Sequence, residues 1–285
     1  MKSHKPKLKP TTFFNGRLIP EGEAHITALS PGLLYGWGAF ETMRSFNNKI
    51  IYLDAHLKRI KESCKLLKIN FNYTPEKIKK ALEQILTLNS LNDAYVRLSV
   101  YNGSDNNADI SIIVRKYKPF AQSKYKQGFS CMVSGLRQNE NSPLSKIKST
   151  SYLFYQIAYL EAQAKGFDEA IILNSAGCIC EASRANIFMA KNNKLFTPPL
   201  ECGCLEGLTR RVILDLASKN KISAHEKSFG LQDLYEADEI FLTNSLMGVM
   251  PVKSVEHIRI GPKKIKGSLT AFFAKQYNLL LRNAS

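Results

Sequence analysis

Stretches with a period of two and stretches with a period of three to four are interleaved from one end of this chain to the other. That alternation constrains the fold more than any other feature, because a helix-period pattern does not settle as a strand, nor the reverse. FFNGRLIP, residues 13–20, reads as a strand pair around an Asn-Gly turn. Leu57, Ile60, Cys64 and Leu67 recur at steps of three and four and predict a helix between Tyr52 and Ile69, with Asp54 as its N-cap. Thr74-Pro75 opens a second helix, threonine capping and proline in the first helical position, that runs to about Leu91. AYVRLSVY and ISIIVRKY then alternate like strands around the polar turn SDNNAD.

The polar, proline-containing stretch YKPFAQSKYKQ breaks the pattern. The expected division is a first domain over 1–118, a linker over 119–127 and a second domain over 128–285. The second domain starts with a strand, FSCMVSGL, and a helix from about Ser151 to Lys165 stopped by Gly166. Short strands AIILN, CICEA and NIFMA follow, joined by the turns NSAG and KNNK, with helices over Gly207–Ser218 and Gly267–Leu281. Interleaving in both halves makes the fold class α+β, or mixed α/β, in two domains.

Charge matters once partners are considered. Net charge is +16, from 40 Lys and Arg against 24 Asp and Glu, which attracts anions: nucleic acid, an acidic membrane or a polyanionic metabolite. Lys2, Lys5, Lys7 and Lys9 fall in the first nine residues, where a chain end frays. The other basic residues are scattered among acids and form no nucleic-acid-binding pattern, so neither nucleic acid nor membrane is an expected partner. No stretch approaches the ~18 apolar residues of a membrane span, and the basic start has no apolar run behind it. A cytoplasmic location is the expectation. The six cysteines are expected as reduced thiols, and the two C-x-C pairs do not have zinc spacing, so no metal is expected.

Five segments can carry chemistry. Lys148 lies just before a helix whose apolar side is unusually aromatic (Tyr152, Phe154, Tyr155, Tyr159). Apolar surroundings disfavour the ammonium form, and a neutral amine is the nucleophile of Schiff-base chemistry; a surface lysine at a helix start is the plainer reading of the same segment. Glu181, in CEASRANIF, ends a hairpin strand among small and apolar residues. It suits either a partner for a protonated pyridine nitrogen or an ordinary surface acid. Gly207-Leu208-Thr209 opens a helix whose free N–H groups can receive a phosphate, and TNSLMGVMPV places Thr243 and Ser245 in a loop straight after a strand. Arg59, off the apolar stripe of its helix, is either solvated or aimed at a phosphate.

Order and spacing say more than any one segment. The run YGWGAFETMR, HLKRI, YVRLSV, KSTSYL, CEASRANIF, LEGLTRR, NSLMGVMPV resembles the class IV (fold-type IV) aminotransferase family from about Phe14 to Val255. That family contains branched-chain aminotransferases, D-amino-acid transaminases and 4-amino-4-deoxychorismate lyases. The resemblance implies a small N-terminal α/β domain, a larger C-terminal mixed α/β domain, pyridoxal 5'-phosphate between them, and a homodimer. It implies that Lys148 is the Schiff-base lysine and proton shuttle, that Tyr152 bonds the cofactor's phenolic oxygen, and that Glu181 pairs with the ring nitrogen. Arg59, the N–H groups of Leu208 and Thr209, and Ser245 resemble the phosphate cradle, while Tyr35, Thr42 and Arg97 fall where relatives line the substrate pocket.

Within the family, YGWGAFETMR and NSLMGVMPV resemble the lyase forms of those segments. The resemblance then implies an anionic amino substrate, aminodeoxychorismate, with Lys148 taking the α-proton and Thr42 near the departing group as proton donor. Two departures stand out: YNGSDNNAD has no arginine where many relatives have an arginine-rich loop, and Ser151 replaces an asparagine. An aminotransferase acting on branched-chain or D-amino acids is the second reading. A basic binding protein on a degenerate enzyme scaffold is the third, with charge as its only support.

Overall fold

In the computed structural model, which describes residues 10–104, 107–261 and 268–283, Asn15 and Gly16 both take left-handed backbone, with φ of 46° and 87°. They fold β1 (Thr11–Phe14) onto β2 (Arg17–Pro20) as the Asn-Gly dipeptide predicts. The lysine-rich residues 1–9, Asp105 and Asn106 of the polar turn, and Gly267 at the expected start of the last helix lie outside the described residues.

The described chain forms two units. The first takes in residues 10–117 and continues with α1 (Pro31–Leu34), β3 (Gly38–Phe46), β4 (Lys49–Ile50), α2 (Leu53–Leu66), α3 (Pro75–Leu88), β5 (Ala94–Asn102) and β6 (Ala108–Lys116). Its strands pair antiparallel in the order β2-β1-β6-β5-β3-β4. Leu57, Ile60 and Cys64 of α2 and Ile78, Leu82 and Ile85 of α3 are buried in one cluster with Met43, Val96 and Leu98 of the sheet. The period of two along β3 thus puts Ala39, Glu41 and Met43 inward, and Phe40 and Thr42 on the opposite face. Thr74 caps α3 by accepting from the Lys77 N–H at 3.3 Å. Asp54 does not cap α2: Tyr52, at φ 54°, holds that position, and the helix has begun by Leu53. Asp54 sits in the first turn and pairs with Lys79 instead.

The second unit holds α4 (Gln122–Gln127), β7 (Phe129–Gln138), α5 (Leu153–Ala164), β8 (Glu169–Asn174), β9 (Ile179–Ala182), β10 (Asn186–Lys191), β11 (Lys194–Thr197), α6 (Leu208–Lys219), β12 (Ala224–Glu226), α7 (Leu231–Tyr235), β13 (Glu239–Asn244), β14 (Gly248–Val255), β15 (Ile258–Arg259) and α8 (Leu269–Asn283). Its mixed sheet runs β12-β11-β10-β13-β14-β7-β8-β9, with β15 beside β14. The β14–β7, β7–β8 and β11–β12 pairs are parallel. Every residue of β8 is buried, which is why AIIL at its centre reads as an unbroken apolar run. Gly166, at φ 80°, follows the last turn of α5 as a left-handed stop.

Two stretches sort differently from the sequence division. Residues 119–127, expected as a linker, carry α4 within the second unit, where the Tyr125 hydroxyl donates to the Met247 carbonyl at 3.0 Å. Ser149–Ser151 group with the first unit. There the Thr150 N–H and Ser149 hydroxyl donate to the Gly38 carbonyl, and the Thr150 hydroxyl donates to that of Gly36.

Candidate functional site

Lys148 ends a segment that opens with the 3-10 turn Pro143–Lys146, capped by the Ser142 hydroxyl on the Leu144 N–H. It is half-buried, with Nζ 5.6 Å from the centre of the Tyr152 ring. Tyr152, just ahead of α5, donates its proton to the Ser183 carbonyl at 2.6 Å and stacks on Tyr155 at 5.0 Å. These contacts tie the start of α5 to the turn between β9 and β10.

Glu181, in β9, is 5% exposed. The Tyr155 hydroxyl donates to its Oε1 at 3.1 Å, and the Leu205 N–H to its Oε2 at 3.2 Å. Burial raises the carboxyl to about 7; the Leu205 N–H, Tyr155, and the charges of Lys148 and Arg210 pull the other way without overcoming it. This acid therefore changes charge near neutral pH, unlike the surface acid that a lone strand-end position also allows.

Asn186 links this carboxylate to the start of α6. Its Nδ2 donates to the Leu205 carbonyl at 2.8 Å and reaches Glu181 Oε2 at 3.5 Å. On its other side, a Cβ on Gly207, the N-cap of α6, would lie 1.9 Å from Asn186 Oδ1, so only glycine fits there. Leu208 and Thr209, both buried, form the first turn of α6, whose leading N–H groups have no intrahelical partner. Directly across the ladder from Asn186, and so on the same sheet face, is Thr243. Its hydroxyl is buried without a hydrogen bond, one of three such side-chain atoms among the described residues. A buried hydroxyl left unpaired is costly, which marks this face as shaped for a polar group. Thr243 belongs to β13 and not to the loop expected from the sequence. Ser245 is in the turn, half-buried, and Asn244 Oδ1 holds that turn by accepting from the Leu246 and Met247 N–H groups.

Gly207→Ala tests the close approach. The new methyl group must displace the Asn186 amide or the start of α6, so the variant is expected to lose about 1–3 kcal/mol of stability, the usual cost of overpacking. Thermal unfolding reads this directly, and an unchanged Tm would mean that the backbone at Gly207 has room to move.

In the first unit, Arg59 is neither solvated nor open-ended. Its Nε and Nη2 fork onto Glu41 at 2.7 Å each, and His56 Nδ1 lies 2.6 Å from the same carboxylate. Glu41 is fully buried; burial pushes its carboxyl up, but the Arg59 charge and hydrogen bonds, with those of His56, prevail and hold it at about 2. On the opposite face of the sheet, Thr42 and Arg97 are cross-strand partners. Arg44 on that face pairs with Asp93, whereas Arg97 lies 3.7 Å over the Phe40 ring and donates to the Ser99 hydroxyl at 3.2 Å. Among the described residues Arg97 has no carboxylate partner. Tyr35 is 72% exposed at the end of α1.

The structure thus gathers Lys148, Tyr152 and Glu181 around α5 and β9, and pairs Thr42 with Arg97. Sequence reasoning passed over Glu41, His56, Tyr155 and Asn186 as working parts. Signals existed for two: His56 and Arg59 are one helical turn apart in HLKRI, and Asn186 follows Glu181 by five residues in CEASRANIF.

Comparison with known proteins gives one consistent family. The amino-transferase class IV family model matches residues 38–255. An aminodeoxychorismate lyase of Bacillus subtilis is 28% identical over 95% of this chain and 94% of its own. A branched-chain-amino-acid aminotransferase of Pseudomonas aeruginosa is 29% identical over 93% and 91%. Among solved structures, a branched-chain aminotransferase from Thermoproteus uzoniensis with norvaline superposes with a TM-score of 0.88 at 30% identity, covering 95% of both chains.

Proposed function

This chain belongs to the class IV aminotransferase family of pyridoxal-phosphate enzymes, and on that premise we propose that it is a lyase converting 4-amino-4-deoxychorismate to 4-aminobenzoate and pyruvate. The observation that carries the cofactor reading is the cluster around Asn186: a buried, ionisable Glu181, a helix start that excludes any side chain, and the unpartnered Thr243 hydroxyl. These residues fit the cofactor. Glu181 suits a protonated ring nitrogen, and the Leu208 and Thr209 N–H groups with Ser245 suit a phosphate. Lys148 is the proposed covalent anchor, and Arg59, held rigid by Glu41, a phosphate contact. Tyr152 is the proposed partner of the phenolic oxygen, to which its hydroxyl would turn from the Ser183 carbonyl.

Pyridoxal phosphate, when bound, supplies an aldehyde for linkage to an amine and a ring that draws electrons from the substrate's α-carbon. The Lys148 Nζ, freed once the substrate amine takes its place, would take the α-proton, the carbon–oxygen bond to the enolpyruvyl group would break, and the new double bond would complete an aromatic ring. Thr42 is the proposed donor of the proton that the departing group needs to become pyruvate. Its side chain, half-buried beside Arg97, makes no hydrogen bond among the described residues, which leaves the hydroxyl available for such a role. Arg97, with no carboxylate partner among the described residues, is the proposed contact for a substrate carboxylate, and Tyr35 is proposed to line the pocket. A homodimer goes with this reading; Leu153, Ile157 and Leu160 leave an apolar edge of α5 exposed, as a subunit contact requires.

Branched-chain aminotransferase activity is the second reading, supported by the assignments of the Pseudomonas aeruginosa and Thermoproteus uzoniensis relatives. A paired product assay separates the two. With aminodeoxychorismate generated in situ, 4-aminobenzoate and pyruvate are expected to rise in a one-to-one ratio. Cofactor-loaded protein that releases neither, yet moves an amino group from leucine to 2-oxoglutarate, would establish the second reading.

A further inference from the structure

Tyr155 enters none of the roles above, yet a directed chain of hydrogen bonds runs through it to Glu181. The Gly203 carbonyl can only accept, so the end of the Gln138 amide 3.4 Å from it is the nitrogen. That nitrogen also donates to the Tyr155 oxygen at 3.0 Å. With its oxygen accepting there, Tyr155 sends its one proton to Glu181 Oε1, 3.1 Å away. The phenol is held in place by stacking on Tyr152 and by the edge contact with Phe154 at 5.2 Å. Burial and the neighbouring Glu181 charge push its own ionisation far above the ordinary phenol range, so it remains a donor at any working pH.

A carboxylate accepts about four hydrogen bonds. Tyr155, the Leu205 N–H and the longer contact from Asn186 leave an acceptor position on Glu181 for one more donor. We infer that Tyr155 is a positioning residue: by donating to Glu181 it keeps that carboxylate charged and fixed, and so sustains the proton on the cofactor's ring nitrogen. The inference rests on the pyridoxal-phosphate reading above. The other titratable and charged groups around Glu181 do not replace Tyr155. Lys148 and Arg210 favour its charged form through their own charges, a smaller effect than the Tyr155 hydrogen bond. Cys180 and Cys204 are buried thiols whose ionisation is pushed up, that of Cys204 to about 12, so they stay neutral.

The test compares wild type, Tyr155→Phe, Glu181→Gln and the double variant, each titrated as apoprotein with pyridoxal 5'-phosphate and followed by its visible absorbance. Phenylalanine keeps the ring packing and removes only the hydroxyl. A hydrogen bond to a charged group is involved, so Tyr155→Phe is expected to weaken cofactor binding about tenfold or more. The Glu181 titration in the apoprotein, read by carboxyl carbon NMR, is expected to move up by about one pH unit. In the Glu181→Gln background the same tyrosine change is expected to alter cofactor affinity little, because its effect passes through the carboxylate. Gln138→Leu, which removes the group that orients the phenol, is expected to act in the same direction. Wild-type binding with an unaffected Tyr155→Phe variant would overturn the inference alone. An equal loss in both backgrounds would reduce Tyr155 to packing and overturn it too. A wild type that binds no pyridoxal phosphate would remove the cofactor reading and the inference together.

Discussion

Lys148→Ala is expected to abolish turnover, by on the order of 10^4-fold or more, as removal of a covalent-catalysis group does. The visible band of lysine-bound cofactor should disappear as well, because Lys148 is the proposed anchoring amine, with Nζ 5.6 Å from the Tyr152 ring centre. Folding should be unaffected: the side chain is half-buried and its loss opens no sealed core. Absorbance and the paired product assay together check this, with the folded state confirmed by circular dichroism. A variant that keeps both the band and the products would mean that another lysine carries the chemistry, and Lys148 would become an ordinary lysine at a helix start.

The second large effect concerns stability. Glu41 is a buried acid that neutralises Arg59 and receives His56, and Glu41→Ala removes that carboxylate from both. Removing one partner of a buried ion pair costs about 3–5 kcal/mol, more than either residue contributes as packing. The same pair sets a pH dependence. Glu41 is held at about 2 against an ordinary value of 4.5. Between those values the unfolded chain binds the proton and the folded chain does not, so stability rises with pH in that window. The contribution of this group is fully present above about pH 4.5 and is lost as pH falls through about 2, a swing of about 3 kcal/mol. Urea unfolding of wild type and Glu41→Gln at pH 7 and pH 3 is the measurement. The expected result is a smaller difference between the two proteins at the lower pH; a constant difference would show that Glu41 is not the group that titrates.

Much of the local structure was legible because it is locally caused. Asn15-Gly16 turns the chain since both positions need left-handed backbone, and Thr74-Pro75 starts α3 since cap and fixed φ agree. Asp54 misled for the same kind of reason: it is a good cap residue, but the turn that ends at Tyr52 had already fixed where the helix begins. Residues 119–127 read as a linker from their polarity, and α4 forms there because Tyr125 reaches a carbonyl of the β13–β14 turn more than a hundred residues away.

The sequence by itself determined the alternation of strands and helices, the family, and the segments in which Lys148 and Glu181 lie, because periodicity, turn chemistry and motif order are properties of neighbouring residues. Only the tertiary structure decided what those segments do to one another. Glu41 reads as a misplaced charge in an inward-facing strand position until α2 brings His56 and Arg59 onto it. Thr243 is an ordinary strand threonine until the β10–β13 ladder sets its unpaired hydroxyl beside Asn186. Tyr155 is one aromatic among several until Gln138 fixes which way its proton points. Burial and hydrogen-bond direction depend on residues far apart in sequence, and those two quantities set the charge of a buried group.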